Sequence, residues 1–293
     1  MQHQYKELTI MHIYFFVLWS SFFLISPLIA IIPISFSVSP FMVFTDEMLT
    51  WPPDPDAWSL RWYKNMIGNC SADVVSSTVP CSNKWMIGTV NSFFIGFIGT
   101  FIATTLGTLA ALGLSRPHMP YKGLIMAILI SPMIVPLIIT AAGMFFFYAR
   151  INLVYSFTGI ILAHVALATP FVVITVTATL VGFDMNMVKA SQSLGARPVR
   201  TFFKVIMPLI LPGVISGALF AFITSFDEVV IVMFMASLDQ LTIPKQMWAG
   251  IRQEISPVIL CMDTCLVILS ILLLTTVELL RRRSEKLRGI KSR

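Results

Sequence analysis

The sequence predicts an all-α integral membrane protein with six transmembrane helices, and three observations lead there. Apolar residues make up 57% of the 293 positions and charged residues only 12%, a balance that ordinary soluble domains do not show. Charge-free runs long enough to cross a bilayer core, which takes about 20 apolar residues, recur along the chain. The 20 basic residues divide unevenly between alternate loops, as the positive-inside rule requires.

The first run, 8–45, follows an almost uncharged N-terminus, Lys6 against Glu7. It is too long for the apolar core of a cleaved signal, so it reads as a retained anchor. An outer loop over 37–85 comes next, rich in Pro, Asp, Trp and Ser. Its stretch Trp58-Ser59-Leu60-Arg61-Trp62-Tyr63-Lys64-Asn65 reads as an interfacial anchor, because Trp and Tyr prefer the headgroup layer. Runs 85–115, 123–149, 151–183 and 205–226 supply four more crossings. A sixth lies near 257–280, interrupted by Asp263 and with Glu278 close to its end.

Six crossings leave both chain ends on one side. That side holds Lys6, Arg116, Lys122, Lys189, Arg197, Arg200, Lys204 and the seven basic residues of the tail; Arg61, Lys64, Lys84, Arg150, Lys245 and Arg252 lie on the other. Fourteen against six puts both termini and the 183–207 loop in the cytoplasm. The basic tail, 281–293, reads as a topological anchor and not a nucleic-acid site. Residues 1–293 form a single transmembrane domain on this reading.

The 189–213 stretch is the polar, basic interlude built to touch a soluble partner. Met187, Ala190 and Leu194 share one helical face, and Val199, Phe202, Phe203 and Ile206 share another. Between them Gly195 favours a left-handed helix end, Arg197 is pushed out of the helical region by the following proline, and Pro198 suits the first turn of a new helix. The spacing predicts two short amphipathic helices meeting at a bend. Charge here follows from the positive-inside rule alone, but the Phe202-Phe203 pair does not.

This spacing resembles the EAA loop of ABC-transporter permeases: a triplet, three residues, Gly, nine residues, then an apolar group ending in Pro. Gly195 and Val205-Ile206-Met207-Pro208 fall in register, while the opening triplet is Lys189-Ala190-Ser191, so the family's acid is replaced by a base. Ser59-Leu60-Arg61-Trp62-Tyr63 and the run from Leu211-Pro212-Gly213 to Asp227-Glu228-Val229 are similar to the second permease of spermidine/putrescine importers. The resemblance implies a partner permease, a dimer of ATP-binding subunits docked at the elbow, an extracytoplasmic solute-binding protein and a bacterial inner-membrane location. Coupling would then rest on Lys189, Ala190, Ser191, Leu194, Gly195, Arg200, Phe202, Phe203 and Pro208. Ferric iron, an oxyanion or another small organic amine are the alternative cargoes, and a secondary transporter is the alternative class.

Within the crossings, Asp227 and Glu228 are the sharpest polar signal. Counted from Pro208 at 1.5 Å per residue, they fall roughly 28 Å along the helix, in the middle to outer part of the membrane. An ionised carboxylate there needs water, a cation or a partner, so a cation pathway and a bond within the bundle stand side by side as readings. Asp263 is a weaker pathway candidate. Pro132, Pro136, Pro170, Pro208 and Pro212 bend apolar helices or end them, and Gly213 and Gly217 have the spacing that lets another helix approach closely.

Cys70 and Cys81 of the outer loop face an oxidising compartment on this topology, where a disulfide would stabilise the loop by about 3 kcal/mol. Cys261 and Cys265 read as small packing residues. No phosphate loop of the form Gly-x-x-x-x-Gly-Lys, no His-Glu-x-x-His and no Gly-x-Ser-x-Gly occurs, and the four histidines are scattered. A non-catalytic subunit with no cofactor and no metal is expected, with ATP hydrolysis in a separate subunit. Lone His164 reads as a packed, hydrogen-bonded residue.

Overall fold

The computed structural model describes residues 2–287 apart from 53, 70–82, 117, 182, 185 and 254–255. Among them the chain is helical, in two compact units: Met1–Asn83 with Ala249–Arg293, and Lys84–Trp248. The proposed Cys70–Cys81 pair lies outside the described residues.

In the first unit, α1 (Gln2–Ile34) packs on α12 (Val258–Leu287), and α12 on α3 (Arg61–Met66). The first apolar run extends to residue 45, but α1 stops at Ile34. Serine side chains replace the helical bonds beyond it: Ser37 Oγ accepts from the Ser39 N–H at 3.1 Å, and Ser39 Oγ from the Phe41 N–H at 3.1 Å, the usual competition of hydroxyls with the helix. Trp62 is fully buried and not an interfacial anchor. Its indole N–H donates to the Ser37 carbonyl at 3.0 Å, and the Arg61 guanidinium lies 4.2 Å over its ring. Tyr63 OH and Ser35 Oγ are 2.7 Å apart, closing the same small core.

The second unit is built on three helices. α4 (Lys84–Leu114), α7 (Phe157–Val181) and α9 (Pro198–Phe226) pack on one another. Glycines set the spacing. A Cβ on Gly107 would lie 2.6 Å from Val172 Cβ, one on Gly217 would lie 3.0 Å from Val172 Cα, and one on Gly213 would overlap the Thr179 hydroxyl. Gly213 and Gly217 therefore serve a close α7–α9 contact within this chain, the packing expected of small residues in membrane helices. His164, buried between these helices, bonds Ser225 Oγ through Nδ1 at 2.8 Å.

The run 123–149 is not one straight crossing. It is α5 (Lys122–Ile134) and α6 (Leu137–Arg150), bent by 102°. Pro136 forces Val135 into an extended conformation, φ −70° and ψ 136°, the restriction a proline imposes on its predecessor. Met119 and Pro120 enter beside Phe183 and Phe202. At the far side, Phe145 of α6 meets Phe234 of α10 (Val230–Met235), ring centroids 6.5 Å apart. There the Tyr155 N–H donates to the Met235 carbonyl at 2.9 Å. The bent pair thus enters at one end of this unit and leaves at the other, as a single broken span. With it, the five long apolar helices among the described residues become six crossings.

Candidate functional site

α8 (Asn186–Ser193) and the start of α9 form an elbow. Asp184 opens α8 by accepting the Asn186 N–H at 2.9 Å. Gly195 closes it with φ +80°, its N–H donating to the Gln192 carbonyl at 2.9 Å, while the Ala196 N–H reaches Ser191 at 3.1 Å. These paired bonds around a left-handed glycine are the usual helix stop. Arg197 then takes φ −68° and ψ 154° before Pro198, as a residue preceding proline must.

The second arm differs from the expectation of a separate short helix. From Pro198 the chain continues without a break into the membrane-crossing part of α9, through one π turn over Phe202–Ile206. Pro208 explains the turn: it lacks an N–H and would crowd the carbonyl four residues earlier, and the wider turn lets the Met207 N–H reach the Phe202 carbonyl instead. A push on the elbow is therefore a push on the crossing itself.

Two faces of the elbow differ. Outward stand Met187, Lys189, Ala190, Leu194, Val199, Arg200 and Phe203, all exposed, with Leu194 at 88% and Phe203 at 64%. Inward, Ser191 Oγ and the buried Thr201 hydroxyl are 2.9 Å apart and tie the two arms together. Phe202 turns half inward, its ring 4.9 Å from that of Phe203 at 76°. Behind it lies a cavity of about 790 Å³ between the elbow, the ends of α4 and α7, and the approach to α5. Lys189, Arg197, Arg200 and Lys204 have no ion-pair partner among the described residues.

Asp227 and Glu228 sit at the other end of α9. The helix stops at Phe226 and the two carboxylates part: Asp227 is exposed, whereas Glu228 is buried and its Oε1 accepts the Ile231 N–H at 2.8 Å, capping α10. The 29 residues of α9 run from the elbow at its start to the acids just past its end, about 40 Å at helical rise. Asp263 is half-buried on α12 in the other unit. Cys261 is buried and its thiol donates to the Ser35 carbonyl at 3.4 Å, so it packs as expected. Sequence reading missed Thr201 and Ser225, the hydroxyl partners of Ser191 and His164. A polar residue on an otherwise apolar helix was the available signal for Ser225; Thr201 stands in a basic stretch where a hydroxyl does not stand out.

The sequence profile of the binding-protein-dependent transport system inner membrane component family matches residues 103–288. The spermidine/putrescine transport system permease protein PotC of Haemophilus influenzae is 29% identical over 60% of this chain and 69% of its own. The putrescine transport system permease protein PotI of Escherichia coli is 26% identical over 83% and 80%. Among solved structures, a bacterial ABC transporter involved in the import of the acidic polysaccharide alginate superimposes with a TM-score of 0.64 at 15% identity, covering 94% of this chain and 96% of that one. That likeness is one of fold. With more than half of its length matched by the family profile, the chain belongs to the binding-protein-dependent transport system inner membrane component family, the permease subunits of ABC importers.

Proposed function

We propose that this chain forms half of the translocation pathway of an ATP-driven polyamine importer of the bacterial inner membrane, with both termini in the cytoplasm. It would pair with a second permease, receive cargo from an extracytoplasmic solute-binding protein, and couple through its elbow to a dimer of ATP-binding subunits. The observation that carries the reading is the elbow. Its outward apolar face and its basic residues, without ion-pair partners among the described residues, suit a soluble partner, and its second arm is continuous with a crossing helix. Lys189 stands where the family pattern has an acid, so the electrostatic part of docking is reversed at that position.

Polyamine cargo is supported by the names of the relatives and by an exposed carboxylate at the far end of the same helix. Asp227 is the group suited to meet a polycation. Glu228 positions the segment after it by capping α10, and Asp263 is held as a second acid for the pathway. ATP-dependent uptake of radiolabelled spermidine by proteoliposomes containing the assembled complex tests the function. Uptake that stays the same without ATP, and follows an ion gradient instead, would identify a secondary transporter.

A further inference from the structure

The cavity behind the elbow is not needed for any step above. Leu112, Met119, Leu180, Val188, Phe202 and Ile206 are among the apolar residues that line it, with Ser115, Gln192 and Thr201 between them, and the exposed Arg116 and His118 also border it. Arg116 has no ion-pair partner among the described residues; Asp184, next in sequence to the lining residue Phe183, accepts the Asn186 N–H through Oδ1. At about 790 Å³ it falls in the size range of small-molecule pockets, about 300–1,000 Å³, room for part of a lipid.

We propose that this cavity binds one anionic phospholipid, with an acyl chain against Leu180, Val188 and Phe202 and the headgroup phosphate at Arg116 and His118. Three features select that occupant. The lining is mostly apolar but its border is basic, which matches an amphiphilic anion and not a soluble one. The cavity lies among the ends of α4, α7 and α8 and the start of α9, and basic pockets between membrane helices on the cytoplasmic side are suited to acidic headgroups. The elbow's outward face is separate, so a lipid behind it leaves Leu194, Val199 and Phe203 free. A bound lipid would wedge the elbow against the ends of α4 and α7 and set how stiffly it moves. Binding rests on the cavity and on the cytoplasmic placement of the elbow proposed above, so it stands whatever the cargo.

The test uses the full chain purified with the subunits it assembles with, in detergent. Its thermal midpoint is titrated with short-chain phosphatidylglycerol, with phosphatidylcholine of the same chain length, and with inorganic phosphate. Phosphatidylglycerol should raise the midpoint and the other two should not. Arg116→Gln, a surface change, should weaken the effect about fivefold, the share of one basic residue near an acidic headgroup. Leu180→Trp, which fills the cavity, should remove it, and Arg150→Gln at the opposite end should leave it intact. Equal stabilisation by phosphatidylcholine, reproduction by phosphate, or an Arg116→Gln titration identical to the parent would overturn the proposal.

Discussion

At the scale of single residues, Gly195 shows how a local rule becomes a functional constraint. Space is not the issue, since a Cβ there would meet nothing within 4 Å; the backbone is, because φ +80° costs a residue with a Cβ about 1–2 kcal/mol. Gly195→Leu should therefore open the elbow and sharply lower recovery of the ATP-binding subunit on copurification. Gly195→Asn, which tolerates this conformation, should retain most of it. The two acids invite the opposite comparison. Glu228→Gln keeps an oxygen for the Ile231 N–H and should fold and assemble normally, whereas Glu228→Leu should lower stability by about 1 kcal/mol through the lost cap, read as a lower thermal midpoint. Asp227→Asn should leave that midpoint unchanged and reduce spermidine uptake several-fold. The glycine stop and the extended Arg197 were legible because they depend only on neighbouring residues. That Asp227 and Glu228 part was legible too, since adjacent helical residues point about 100° apart; which of them caps was not, because it depends on α9 ending at Phe226, and apolar residues continue past that point.

Among the elements, the glycine contacts decide how the three central helices sit. Gly217 approaches the backbone of Val172 itself, which cannot yield as a side chain end can. Gly217→Leu should cost at least about 1–3 kcal/mol of overpacking, and a thermal melt of the purified chain would show it. The same change at Gly143, beside which a Cβ meets nothing within 4 Å, should be close to neutral. Sequence spacing gave away the Gly213 and Gly217 pair but not its partner, since close approach to α7 is a long-range fact. The broken span was half legible. Pro132 and Pro136 stand in the run, but nothing local to them says that α6 must turn to meet α10. The merging of the elbow's second arm with α9 was hidden for a related reason. Pro208 reads as a break, and a π turn is the way the helix avoids one.

For the whole molecule, six crossings and the elbow follow from apolar length and charge asymmetry, both of which act residue by residue and survive any detail of packing. The outer segment was misjudged at Trp62, where composition pointed to the membrane interface and a specific bond to Ser37 buried the ring instead. What the account claims above all is that the elbow between α7 and α9 receives the ATP-driven motion. Photocrosslinking residues placed singly at Leu194, Val199 and Phe203, with Leu238 at the other end of the same unit as the control, test this in the assembled transporter. Leu238 is 85% exposed and so equally available to a soluble partner. The account predicts adducts with the ATP-binding subunit from the three elbow positions, altered in yield by ATP, and none from Leu238. Adducts with that subunit from Leu238 but not from the elbow would contradict it.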